Sequence, residues 1–280
     1  MPADEPAPLL AREALEGAYV LLTFRHAETA RAARAGQFVM LKAGTCPEPL
    51  LRRPFSIMSV DRARQTFTLF LKAVGPGSRA LAGLRVGEVA PCLGPLGRSF
   101  PPPAAGEEAL LVAGGYGIAP FRLFCEQLGA GPRARVFYGG RTAHDLQLRD
   151  RFADLGVPLL PATEDGSLGH RGRVTAALET YLDARPGPVR LYACGPPAML
   201  QAVAGLAGER GLEASVSLDP WMGCGLGTCL SCVVWTQGRE EVRPHYRCAC
   251  TEGPVFDAAT VVWPGEVTSL ARRRPERSPA

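Results

Sequence analysis

The chain has 280 residues, 46% hydrophobic and 21% charged, with a formal net charge of +4. That length and balance fit one to three globular domains with substantial cores, and exclude a disordered or fibrous chain. The last ten residues, Ala271 to Ala280, carry four Arg and one Glu, so the remaining body is close to neutral and offers no nucleic-acid surface.

Nine cysteines is an odd number, and five of them fall between 224 and 250. A secreted disulfide framework would spread them along the chain and follow a leader. Met1 to Leu15 contains Asp4 and Glu5 and no apolar core, so it does not read as a signal peptide. No apolar run approaches membrane-spanning length. A reducing cytoplasm, where thiolates stay available to iron, is the expected compartment.

The first hundred residues predict β structure. Tyr19–Phe24, Gln37–Leu41, Phe55–Val60 and Thr66–Leu71 are short strand-like runs with Gly or Pro between them, a spacing that predicts a small antiparallel barrel. Within it stands Arg53-Pro54-Phe55-Ser56. An Arg beside an aromatic ring and a hydroxyl can hold a phosphate, stack on a planar ring and hydrogen-bond it; the plainer reading is a strand edge with an exposed Arg. Next, Lys72 to Ser78 is a Gly-rich turn ending in a hydroxyl. It reads either as a pyrophosphate cradle of backbone N–H groups or as an ordinary strand-to-helix turn. Gly94 to Gly97 closes the expected barrel, and Pro101 to Pro103 reads as a linker.

After the linker, strand and helix alternate. Ala109–Ala113 is an apolar run of the kind a central parallel strand needs. Gly114-Gly115-Tyr116-Gly117-Ile118-Ala119-Pro120 follows, then a helical pattern over Phe121–Leu128. A Gly turn feeding a helix N-terminus is a phosphate seat, and Pro120 is acceptable in a first helical turn. Arg135–Arg141, Pro158–Thr163 and Pro188–Ala193 read as further strands. The last runs into Cys194-Gly195-Pro196-Pro197 and a helix from Ala198 to about Glu209. Loops at strand C-terminal ends are where an open α/β sheet binds its ligand. A final strand, Leu212–Leu218, leads into the cysteine-rich stretch.

There, Cys224, Cys229 and Cys232 show C-x4-C-x2-C spacing, with a further Cys at 248 or 250. This is the ligand pattern of a plant-type [2Fe–2S] cluster. The interleaved Gly225 and Gly227 suit a loop that turns sharply and aims N–H groups at sulfur. The alternatives are a structural zinc site, which usually pairs its ligands as two short C-x2–4-C units, or buried free thiols.

Three signals in this order resemble the ferredoxin-NADP reductase superfamily: Arg53-Pro-Phe-Ser56, the Gly114–Pro120 turn with Cys194-Gly195-Pro196, and the cysteine loop. Met222–Cys232 with Cys250-Thr-Glu-Gly-Pro-Val-Phe256 narrows the resemblance to the electron-transfer subunits of two-subunit, NAD-dependent dihydroorotate dehydrogenases, over roughly Leu15 to Glu266. The resemblance implies a multi-domain chain: an antiparallel β-barrel FAD domain (1–103), an α/β Rossmann-like parallel-sheet NAD domain (104–212), a small C-terminal [2Fe–2S] loop domain (213–268) and a basic disordered tail (269–280).

It implies flavin contacts at Arg53, Pro54, Phe55, Ser56, Phe70, Leu71, Lys72, Gly77 and Ser78. It implies nicotinamide-nucleotide contacts at Gly115, Gly117, Cys194, Gly195 and Pro196. The implied cluster ligands are Cys224, Cys229, Cys232 and Cys250, the last because the family's final ligand precedes x-x-Gly-Pro-Val-Phe. Cys248 is an additional thiol two residues earlier. No proton-transferring catalytic residue is implied.

The expected function is an oxidoreductase subunit passing electrons between NAD(H) and a partner through FAD and the cluster. The flavin is chemically required, because nicotinamide moves two electrons together and a cluster one at a time. The implied partner is an FMN-bearing dihydroorotate dehydrogenase catalytic subunit in pyrimidine biosynthesis, two copies of each, with no nucleic acid or membrane. The first alternative is a sister NAD(P)H-dependent reductase serving a hydrogenase, a glutamate-synthase-like enzyme or a transhydrogenase. The second is a non-catalytic, zinc-bearing nucleotide-binding module. Arg141 could meet a 2′-phosphate and Asp145 would oppose it, so NAD or NADP is left open.

Overall fold

A computed structural model describes residues 2–43, 51–129, 133–184, 187–238, 241 and 244–263. The predicted basic tail and the end of the predicted cluster segment lie outside them. Among the described residues, six strands close an antiparallel barrel: β1 (Ala3–Ala14), β2 (Tyr19–Arg25), β3 (Phe38–Leu41), β4 (Arg53–Asp61), β5 (Thr66–Lys72) and β6 (Val89–Leu96), in the order β1-β2-β5-β4-β3-β6. Helices α1 (Ala27–Ala32) and α2 (Pro76–Ala82) lie in its connections. Strand β1 divides its pairing. Ala3–Pro8 pairs with β6 and Leu9–Ala14 with β2. The first half therefore has one ladder partner only, and Pro6 and Pro8, which lack an N–H, are tolerated there.

The second unit is an open sheet. Its elements are β7 (Glu108–Gly114), α3 (Ala119–Leu128), β8 (Ala134–Gly140), α4 (Arg149–Ala153), β9 (Leu159–Thr163), β10 (His170–Arg171), α5 (Val174–Asp183), β11 (Val189–Cys194), α6 (Pro197–Arg210) and β12 (Ala214–Ser217). A hairpin of β13 (Val233–Thr236) and β14 (His245–Cys248) follows, then β15 (Val255–Asp257). The sheet order is β10-β9-β8-β7-β11-β12-β15, parallel except for the antiparallel β15. The cysteine-rich segment thus begins and ends on this sheet, through β12 and β15.

Period two along β7 explains how the layers join. Ala109, Leu111 and Ala113 face one core, shared with the barrel interior and Phe121 and Phe124 of α3. Leu110 and Val112 face another, shared with Phe38, Met40, Leu93 and Leu96 of the barrel wall and with Cys232, Cys250 and Phe256. Phe100, next to the Pro101–Pro103 linker, closes the seam between the two units. Its ring lies 5.5 Å from Phe121 and 5.8 Å from Tyr192. Ion pairs Arg151–Glu13 at 2.7 Å and Lys72–Asp145 at 3.4 Å cross the same seam.

Candidate functional site

From β7 the chain winds to β8 and β9 on one side of the sheet, then returns to β11 and β12 on the other. The gap between β7 and β11 is therefore the switch point at which an open α/β sheet offers a ligand crevice. The two loops leaving that point are Gly114–Gly117 and Cys194–Pro196. They meet backbone to backbone: a Cβ on Gly117 would strike the Cys194 carbonyl, and one on Gly195 would come within 2.9 Å of the Gly114 nitrogen. Gly115, at φ +54°, has nothing within 4 Å of where its side chain would stand, so its backbone is open to a ligand.

A cavity of about 620 Å³ opens in front of these loops. Gly117, Cys194, Gly195 and Pro196 border it on the sheet side, and Pro54, Phe55, Ser56 and Phe70 border it on the barrel side. The remaining barrel residues singled out in the sequence, Arg53, Leu71, Lys72, Gly77 and Ser78, are not among those that border it. Leu71 is buried. Phe70 stacks on Tyr19 at 5.3 Å, and Lys72 lies 4.6 Å above the Tyr19 ring. Arg53 runs across Gly77, where an added Cβ would meet its Cγ at 3.0 Å. The Ser78 hydroxyl accepts the Val74 and Gly75 N–H groups at 3.0 Å each, so it stabilises the turn into α2. A planar ring fits this mostly apolar wall, and the glycine-spaced loops suit a diphosphate, so the residues present fit a flavin and a nicotinamide nucleotide.

Burial pushes the Cys194 thiol up to about 12; the Asp219 charge adds to this and a hydrogen bond from Ser217 counters it. Asp219 is exposed at the cavity edge, yet desolvation against the apolar wall raises its carboxyl above the usual range. Asp145 is occupied elsewhere: it holds Lys72 at 3.4 Å and the Thr142 N–H at 3.3 Å.

The third wall comes from the cysteine segment, through Met222, Val233, Val234, Trp235 and Pro254. Here the predicted ligands fall into two pairs. Cys224 lies beside Cys229, and Cys232 beside Cys250. Backbone N–H groups point at the sulfurs: Leu226 donates to Cys224 Sγ at 3.3 Å and Gly227 to Cys250 Sγ at 3.2 Å. Gly225, at φ +77°, packs on Met40, which seats the loop on the barrel.

The pairs differ in setting. Cys229 is exposed, and hydrogen bonds from Ser231 and then Cys224 bring its thiol down to about 6. Cys250 is buried, and desolvation, reinforced by Cys232, pushes it up to about 12. Four thiols in two pairs, with backbone N–H donors on the sulfurs of Cys224 and Cys250, match a donor set of two thiolates per iron for two irons. Among the described residues, no three His, Cys, Asp or Glu side chains gather closely enough to hold a single ion.

Sequence reasoning did not pick out Asp219 or Trp235, and gave Met222 and Ser231, inside the cysteine motif, no role of their own. For Ser231 a signal was present: a hydroxyl two residues after one ligand and directly before the next. Asp219 and Trp235 carry no local signal, because only the return of β12 and β13 brings them to the cavity.

The chain is 35% identical over 243 residues to the electron transfer subunit of dihydroorotate dehydrogenase B (NAD(+)) of Desulforamulus reducens, covering 86% of this chain and 92% of the relative. It is 40% identical over 232 residues to the subunit of the same name from Bacillus cereus, covering 81% of this chain and 86% of the relative. The chain belongs to this family of electron transfer subunits.

Residues 219–262 match the iron-sulfur cluster binding domain of dihydroorotate dehydrogenase B, and residues 111–205 match the oxidoreductase NAD-binding domain. The dihydroorotate dehydrogenase B match therefore covers the cysteine loop itself. A chain of the solved NADH-dependent reduced ferredoxin-NADP oxidoreductase, described for flavin-based electron bifurcation, superposes with TM-score 0.81 at 28% identity, over 96% of this chain and 94% of that one. A ferredoxin NADP+ reductase from Neisseria gonorrhoeae with bound FAD and NADP shares the fold at TM-score 0.64 and 21% identity, over 74% of this chain and 91% of that one.

Proposed function

We propose that this subunit carries electrons between the catalytic subunit of dihydroorotate dehydrogenase B and NAD+, holding FAD and a [2Fe–2S] cluster to do so. One observation carries the reading: a single cavity is walled by Pro54, Phe55 and Ser56, by both glycine loops of the switch point and by residues flanking the cysteine loop. Three sites that exchange electrons need proximity, and a shared cavity between these segments supports it.

When bound, the flavin exchanges a hydride with nicotinamide and single electrons with the cluster. The protein's own residues position and exclude. Phe55 and Phe70 offer the ring wall, Arg53 and the turn at Gly77–Ser78 offer the phosphate end, and the Gly115–Gly117 and Cys194–Pro196 loops offer the nucleotide seat. Cys224, Cys229, Cys232 and Cys250 hold the cluster, and the Leu226 and Gly227 N–H groups tune it by hydrogen bonding to sulfur. Residues 1–103, 104–212 and 213–268 act as flavin, nucleotide and cluster units, the last stitched to the sheet of the second by β12 and β15. The partner in this proposal bears FMN and assembles two-to-two in the cytoplasm. Among the described residues no helix is long and apolar enough to cross a membrane.

The test is an absorbance spectrum of the anaerobically purified chain with iron and sulfide assayed, before and after NADH. The expected result is about two irons per flavin and bleaching by NADH. Dihydroorotate-driven NAD+ reduction should appear only when the catalytic subunit is added; turnover of dihydroorotate by this chain alone would overturn the division of labour. A second reading, a sister reductase serving another acceptor, is favoured by the nearly full-length likeness to the NADH-dependent reduced ferredoxin-NADP oxidoreductase chain. Ferredoxin-linked turnover, with none on adding the dihydroorotate-oxidising subunit, would select it.

A further inference from the structure

Cys248 stands outside the two thiol pairs, yet the fold delivers its sulfur to one of them. Strand pairing sets Val233 opposite Cys248, and the Ala249 N–H donates to the Cys232 carbonyl at 2.9 Å. Cys232, just before β13, therefore lies beside the residue that ends β14. Cys248 and Cys250 are both near neighbours of Cys232. Both also touch one residue of the glycine loop. The Gly227 N–H donates to Cys250 Sγ at 3.2 Å, and the Cys248 thiol donates to the Gly227 carbonyl at 3.9 Å. The Cys248 backbone is held in place: its N–H donates to the Glu252 carboxylate at 2.9 Å, and its carbonyl accepts from the Thr251 and Glu252 N–H groups. A half-buried thiol on a fixed backbone, against the same neighbours as a ligand, is placed as a ligand would be.

We propose that Cys248 is a reserve ligand, a second thiolate that takes the place of Cys250 at the iron shared with Cys232. The inference rests on the cluster reading above. The exchange is redox-neutral. The iron–sulfur bond to Cys250 breaks and that sulfur takes up a proton from solvent. The Cys248 thiol releases a proton to solvent and its sulfur forms the new bond. Such a device keeps the site loaded when one ligand is lost or transiently detached.

The test compares wild type, C248A, C250A, C248A/C250A and C229A, purified anaerobically, by iron and sulfide per flavin and by the EPR spectrum of the reduced chain. C248A should load like wild type. C250A should keep about half or more of the wild-type iron with an altered EPR signature, whereas the double variant and C229A should fall to about a tenth or less. A C250A chain as iron-poor as the double variant overturns the proposal. If C250A does not accumulate as folded, flavin-bearing protein, iron release to a chelator decides: C248A should lose its cluster roughly threefold or more faster than wild type, and equal rates overturn the reserve role. Iron-free wild type would instead overturn the cluster reading itself.

Discussion

Two glycine-dense turns, one at the cavity and one in the cysteine loop, use the same residue for different reasons. At Gly117 the requirement is space: a Cβ would run into the Cys194 carbonyl, a backbone atom fixed by the β7–β11 pairing. At Gly227 the requirement is conformation: φ is +80°, and a Cβ would meet only the Thr251 side chain, its methyl at 3.2 Å and its hydroxyl at 3.4 Å. The turn at Gly117 is closed to any side chain, because two strands have brought two backbones together. The cysteine loop tolerates one at the cost of strain, because its neighbour is a side chain that can shift. Glycine content alone does not distinguish these cases.

The largest expected effect is at the closed turn. Gly117→Ala should lower NADH-driven flavin reduction about 10²-fold, as displacement of a positioning loop does, while iron content stays at the wild-type level. Stopped-flow absorbance with an iron assay checks both, and an unchanged rate would show that the turn has slack. Stripping the iron with a chelator separates the two turns from the other side. Transfer to a one-electron acceptor should be lost, while NADH-driven flavin reduction stays within about twofold. Joint loss of both would mean the turns act as one unit.

Gly227→Ala should destabilise the chain by about 1–2 kcal/mol, the cost of a left-handed backbone for an L residue, and speed cluster loss. Denaturant unfolding with chelator kinetics reads this. Gly205 in α6 is the reference for a glycine with neither requirement: it is exposed in a helix interior, with nothing within 4 Å of a Cβ. Gly205→Ala should stabilise by about 0.5–1 kcal/mol with cofactor content unchanged. A loss there would place α6 under a constraint its surroundings do not show.

Local pattern was enough for much of this molecule. Punctuated β runs followed by strand–helix alternation predict a barrel and then an α/β sheet, because the periods of two and 3.6 and the Gly and Pro breaks are properties of neighbouring residues. The spacing of Cys224, Cys229 and Cys232 is local in the same sense, since one loop must present all three. Strand β1 escaped notice because its exposed, proline-bearing sequence has few apolar positions, and only pairing with β2 and β6 makes it a strand.

What the sequence by itself determined was the inventory: the strand-borne Arg-Pro-Phe-Ser group, two glycine turns and a cysteine-rich segment. What only the tertiary structure decided was their meeting. The antiparallel return of β15 ties the cysteine segment to the sheet, Met40 and Leu96 seat Gly225 on the barrel, and the β7–β11 switch point opens toward the ring wall. The different settings of two thiols two residues apart also lay beyond spacing: the Gly227 N–H, from a loop 23 residues earlier in the chain, donates to Cys250 Sγ, whereas the Cys248 thiol donates to the Gly227 carbonyl. Contacts between residues so far apart in sequence leave no periodic trace, because each partner is chosen by the packing of elements rather than by its neighbours along the chain.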